Sequence, residues 1–255
     1  MEAVLAQSGT VQTVELSLSR RDVARFLNLP FALYRDDPLW VPPVLADQKR
    51  VFSPKIPFVE HAQMKLWVAT KAGRDVGRIA GILDRSHNQC HNETTLLFGF
   101  FECQYDPDVS SALFDAAAAW GRRCGMDRLL GPVNPSTNDE CGTLAEGFDS
   151  PPVFMMPYNP RDHLDLYAAS GFAKAKDLVA FYFDVKPEPL QRLERVSAIV
   201  HKRNPNLVIR NIRKKDLRRD LGKVKEIYNE AWEKNWGFVP MTEAEIDFMA
   251  DRLRP

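Results

Sequence analysis

Polar side chains crowd one loop of this chain: Asn134, Ser136, Asn138 and Glu140, with Tyr158 and Asn159 close behind. They belong to a stretch, Gly131 to Phe172, in which turn formers and carboxylates stand between apolar runs. A loop of that kind on a rigid scaffold commonly carries binding or catalysis. Glu140 could take a proton or hold an ammonium, with the amides and hydroxyls orienting an acceptor. Asn and Ser also stabilise turns through their own backbone, so a plain loop would use the same residues. Cys141, beside Glu140 and upstream of His163, suggests a thiol nucleophile; a small buried cysteine is the simpler reading, because nothing else marks a thiol hydrolase. Further on, Asn229, Trp232, Asn235 and Trp236 recur at helical spacing, as a pocket wall or as a core stripe.

Bulk properties narrow the setting. The chain has 255 residues, long enough for one large domain or two. Formal net charge is zero, so no global basic field favours nucleic acid. No apolar run approaches the ~20 residues of a membrane span. Cys90, Cys103, Cys124 and Cys141 include no Cys-x-x-Cys pair, which argues against zinc and for a reducing compartment. A cytoplasmic globular protein is expected, with no metal site.

The elements that must position the loop can be read in order. Residues 1–13 form a loose tail. Val14 to Leu18 alternates as a strand. Ser19 caps a helix carrying Val23, Phe26, Leu27, Phe31 and Tyr34, which Pro30 should kink or split. Phe58 to Thr70 and Arg74 to Asp84 read as a hairpin. Thr94 to Gln104, almost wholly apolar, reads as a buried central strand. Asp106-Pro107 opens a helix that Gly125 closes. Strands at Asp127 to Gly131 and Leu178 to Val185 flank a helix over about 160–170. Lys186-Pro187-Glu188-Pro189 marks a boundary. A connector helix, a strand from Leu207 to Ile212 and two helices follow. The second is opened by Thr242 and Glu245.

That order is α/β, a mixed sheet flanked by helices. The wording Gly131-Pro132-x-Asn134-x-Ser136, Glu140-x-Gly142, Glu146-Gly147-Phe148, Tyr158-Asn159-Pro160 and Gly171-Phe172 resembles the bacterial ceramide synthase-like family of tandem GNAT proteins. So do Ile227-Tyr228-Asn229-Glu230-Ala231-Trp232 and Asn235-Trp236-Gly237-Phe238-Val239-Pro240. The resemblance implies a first GNAT-like lobe over 14–186, a linker with its helix over 187–206, and an incomplete second lobe opening at 207–255.

It further implies an N-acyltransferase moving an acyl group from acyl-CoA or acetyl-CoA to an amine, with a long-chain sphingoid-type acceptor. The alternative is a degenerate GNAT-like protein that binds a ligand or partner without catalysis. By resemblance, Glu102 lies where many such enzymes carry a base, and Tyr167 matches the tyrosine that protonates the leaving thiolate. Each has a plainer reading: a surface or Arg-paired carboxylate, and a tyrosine packing a helix on the sheet. Asn134, Ser136, Asn138, Tyr158, Asn159, Asn229, Trp232 and Trp236 would bind the acceptor. The loop after the central strand, Cys103 to Val109, has no glycine, and Asp106 and Asp108 would repel phosphate. The cofactor is therefore expected on the second lobe. Lys214, Lys215, Arg218 and Arg219 form a solvated helix start or a peripheral contact with anionic lipid or CoA phosphates.

Overall fold

The structure, a computed structural model, describes residues 9–184, 187–213 and 216–252. The chain begins β1 (Gln12–Leu16), α1 (Arg20–Leu33), α2 (Leu45–Val51), a 3₁₀ turn (Pro57–Glu60), β2 (Ala62–Lys71) and β3 (Arg74–Asp84). It continues α3 (Arg85–His91), β4 (Thr95–Cys103), α4 (Pro107–Arg123), β5 (Arg128–Leu130), β6 (Val133–Asn134), β7 (Glu140–Cys141) and α5 (Asp162–Ala169). Helices α6 (Pro187–Arg203), α7 (Leu217–Trp232) and α8 (Glu243–Arg252) complete it.

Strands β1 to β5 lie side by side in sequence order, antiparallel except for the parallel pair β4–β5. This is the expected mixed α/β sheet flanked by helices. Period-two alternation divides it into two faces. Leu66, Val68 and Ala80 meet Phe26 and Leu27 of α1. Trp67, Ala69 and Ile79 meet Leu113, Ala117 and Trp120 of α4. Local signals hold the helix ends. Ser19 accepts from the Asp22 amide at the start of α1, and Asp106 accepts from the Asp108 amide at the start of α4. Ala72 and Gly73, both at positive φ, make the tight turn between β2 and β3.

Several expectations are corrected. Helix α1 runs unbroken through Pro30. The Phe26 carbonyl, which Pro30 leaves without its helical donor, receives Nη1 of Arg78 at 3.0 Å. The strand expected from Phe58 starts at Ala62, because Pro57 opens a 3₁₀ turn first. Helix α3 was not anticipated; Asp84 caps it by accepting from the Ser86 and His87 amides. Residues 178–184 and 207–212 form no strand and are exposed. A strand has no internal hydrogen bonds, and no described strand pairs with either segment. Val185, Lys214, Lys215 and the first eight residues of the expected tail lie outside the described residues.

Contacts divide the chain into two units: residues up to Ala173 together with those from Tyr228 onward, and Lys174–Ile227. In the first, Phe238, Val239 and Ile246 are buried. Thr242 and Glu245 form the expected capping box of α8 through Oγ1 and Oε2. In the second, Arg210 grips Asp220 with both terminal nitrogens at 2.7 Å.

Candidate active site

The first unit's site starts from one irregularity. Strand β4 carries one extra residue opposite β3 between the Arg78–Glu102 and Ala80–Gly99 pairs. Phe100 there adopts a left-handed φ of 50°. Alternation is thereby reset: Phe98 and Phe101 pack toward α4, whereas Phe100 joins the α1 face. A bulge of this kind re-aims the side chains beyond it, and Glu102 now shares the α1 side with Phe100.

The bulge also leaves the Phe100 amide free of the ladder. Asn134 Oδ1 accepts from it at 2.6 Å, and Asn134 Nδ2 donates to Glu140 Oε1 at 3.0 Å. Asn134 and Glu140 face each other across the β6–β7 hairpin. The hairpin lies so close that a Cβ on Gly99 would sit 1.6 Å from the Val133 carbonyl oxygen. Only glycine fits there.

Around Glu102 and Glu140 the chain buries a charge. Arg78, interrupting the apolar run of β3, is 6% exposed. Its guanidinium lies 3.6 Å from Glu102 and 4.9 Å from the Phe26 ring centre. Tyr34, at the end of α1, donates its hydroxyl to Glu102. Burial pushes Glu102 up to about 7 against the pull of Arg78 and the Tyr34 hydrogen bond. Burial raises Glu140 as well, opposed by Asn134 and Arg78. A carboxyl poised near neutrality in a cavity is suited to taking a proton.

The cavity holding these groups encloses about 120 Å³. Glu102, Glu140, Asn134, Arg78, Tyr158, Asn159, His163 and Tyr167 line it, with Leu27, Pro30, Trp40, Val41, Leu45 and Met156 as its apolar part. Tyr167 on α5 contacts Phe101, Phe114 and Phe172, and burial raises its hydroxyl above the usual tyrosine value. Tyr158 donates to Asp37.

The other polar residues singled out in the sequence lie elsewhere. Asn159 also brackets Leu144, accepting from its amide at 2.7 Å and donating to its carbonyl at 3.2 Å. Ser136 donates to Asp139 at 2.7 Å. Asn138 receives the Tyr228 hydroxyl and donates to the Val239 carbonyl, each at 3.1 Å. Asn229 accepts from the Met241 amide at 3.3 Å, and Trp232 and Trp236 are about half exposed. None of Ser136, Asn138, Asn229, Trp232 and Trp236 lines the cavity. Cys141 packs beside Ile56 and Phe58, and burial raises its thiol.

Arg78, Tyr34 and Asp37 were missed. A lone arginine between Gly77 and Ile79 was a usable signal, since an unpaired charge is seldom buried. Nothing local marks Tyr34 or Asp37.

The loop after β4 bears on acyl-CoA. Asp106 uses its own carboxylate and carbonyl on the Asp108 and Val109 amides and pairs with Lys71 at 2.6 Å. The first amides of α4 are thus already engaged, and the Asp106 carboxylate would repel an anion at this helix start.

No family model matches the chain. Protein YghO of Escherichia coli (strain K12) is 35% identical over 257 residues, covering 100% of this chain and 64% of that protein. The bacterial ceramide synthase of Caulobacter vibrioides (strain NA1000 / CB15N) is 36% identical over 241 residues, covering 91% of this chain and 61% of that protein. The chain therefore spans less than two thirds of the length of these curated relatives. Among solved structures, an aminoglycoside acetyltransferase, meta-AAC0020, from an uncultured soil metagenomic sample aligns with a TM-score of 0.41 at 11% identity. It covers 69% of this chain and 97% of its own. A tandem GNAT protein from the clavulanic acid biosynthesis pathway aligns with a TM-score of 0.42 at 17% identity, over 64% of this chain and 43% of its own.

Proposed function

The chain belongs to the bacterial ceramide synthase-like family, and from that premise we propose that it is an N-acyltransferase whose first unit binds the amine acceptor. The observation that carries the reading is the pairing of Glu102 and Glu140 in one cavity beside the bulge of β4. An ammonium entering there meets two carboxyls, one of them poised near 7. Loss of its proton to Glu102 frees the nitrogen lone pair to attack the thioester carbonyl of an acyl-CoA. The C–N bond forms, the C–S bond breaks, the thiolate takes a proton from Tyr167, and the second N–H proton of the adduct passes to the Tyr167 phenolate, leaving the neutral amide. Glu140, fixed by Asn134, holds the ammonium.

The apolar part of the cavity, with Trp40, Val41 and Leu45, suits an acceptor with a hydrocarbon tail. The Caulobacter relative's name supports a sphingoid-type amine. A lipid acceptor would bring the protein to a membrane surface, and no helix among the described residues is long and apolar enough to cross one. The engaged amides of α4 support a CoA pyrophosphate held elsewhere than at the start of that helix.

The test is mass-spectrometric detection of amide after incubating the intact protein with acyl-CoA and a panel of short and long-chain amines. Amide from the long-chain amines is the expected result, and absence of amide from every amine contradicts the reading. The filled start of α4 favours one other reading, ligand binding without chemistry. Amine binding with no turnover would establish it.

A further inference from the structure

His163 stands on the first turn of α5 with 1% of its surface exposed. It lines the same cavity as Glu102 and Glu140. The Phe101 ring meets it edge-on at 5.2 Å and the Tyr167 ring lies 6.4 Å away. The imidazole donates a hydrogen bond to the Cys103 backbone, while Nε2 is buried with no partner. A buried polar atom left unpaired opposes folding, so it calls for an explanation.

The chemistry of the atom narrows that explanation. With the other ring nitrogen donating to the Cys103 carbonyl, Nε2 presents a lone pair. Burial pushes the imidazole down to about 4, so it stays uncharged near neutral pH and does not compete with Glu102 for a proton. Among the cavity's polar groups, Arg78 is a donor only, and the Asn134 oxygen is already taken by the Phe100 amide. Beside the two carboxyls, the Gln48 amide and the tyrosine hydroxyls, this imidazole nitrogen is the cavity acceptor that is buried with no partner. A primary ammonium carries three N–H donors.

We propose that Nε2 of His163 is the third, uncharged acceptor for a primary ammonium, completing the set begun by Glu102 and Glu140 and making the site selective for primary over N-methylated amines. The inference rests on the reading of this cavity as the amine site.

Two probes test it on the intact protein: calorimetry with decylamine and N,N-dimethyldecylamine, and imidazole ¹⁵N NMR of His163. The wild type is expected to bind decylamine at least about tenfold more tightly, the equivalent of one lost hydrogen bond. The Nε2 resonance should shift on addition of decylamine. His163→Phe should bring the two affinities to within about threefold, and His163→Gln, which keeps an acceptor, should restore part of the preference. Equal affinities in the wild type, full discrimination in His163→Phe, or an unmoved Nε2 resonance on saturation with decylamine would each overturn the assignment. Those outcomes leave the amine site itself standing. Absence of binding by either probe overturns the assignment and the amine reading together.

Discussion

The two faces of the sheet are built from the same strands and do different work. Toward α4 the packing is dry and aromatic, with Trp67, Phe98, Phe101, Phe114 and Trp120 in one cluster. Toward α1 the same strands bury Arg78 beside a half-buried Glu102, and the hairpin brings Glu140. One added residue in β4 makes the difference. Before the bulge, Leu96 and Phe98 alternate onto the α4 core; beyond it, Phe100 and Glu102 are re-aimed to the other side. One face can then be packed for stability while the other carries polar groups whose burial opposes stability.

The largest expected effect lies on the dry face. Leu113, fully buried on α4, should cost about 2–5 kcal/mol of stability as Leu113→Ala in urea unfolding, with cavity chemistry per folded molecule retained. Next comes the contact that joins hairpin to bulge. Gly99→Ala puts a methyl group against the Val133 carbonyl and should cost about 1–3 kcal/mol. Unlike Leu113→Ala it should also lower acylation, since Asn134 and Glu140 move with the hairpin. Equal loss of activity in the two variants would erase the distinction between the faces.

A smaller effect isolates the polar face alone. Tyr34→Phe removes a hydrogen bond to Glu102 and should cost about 1 kcal/mol. That bond lowers the Glu102 pKa, so its loss should move the rising limb of the pH–rate profile upward. The smallest concerns the edge of the same unit, where His61 bridges Asp84 at 2.9 Å and Glu245 at 3.1 Å. Those hydrogen bonds raise the imidazole to about 9 from 6.5, so its stabilisation is complete below pH 6.5 and is lost as pH rises through about 9. The melting-temperature gap between wild type and His61→Gln, worth about 1 kcal/mol or less, should close over that range.

Much of the scaffold was legible because its signals are local. Ser19, Asp106-Pro107 and the Thr242–Glu245 pair each mark a helix start within three residues, and all three are observed. The bulge was not legible, because Gly99 to Phe101 lies in an uninterrupted apolar run that shows no alternation to break. Glu140 and Asn134 could be singled out by type, and Glu102 and Tyr167 through the family resemblance. Arg78 offered a signal as a lone charge in an apolar strand, but its role and that of Tyr34 come from a meeting with Glu102 across 24 and 68 residues of chain. The apolar segments 178–184 and 207–212 carry the same signature as β4 and form no strand. Hydrophobic pattern proposes a strand; a hydrogen-bonding neighbour decides it.

The most direct test of the account is the rate of amide formation from acyl-CoA and a long-chain amine as a function of pH, for wild type and Glu102→Gln. The wild-type rate should rise through a limb near 7, and the variant should lose that limb together with at least about a hundredfold in rate. A Glu102→Gln enzyme that keeps the wild-type rate and the same limb would contradict the assignment of the buried face as the site of chemistry.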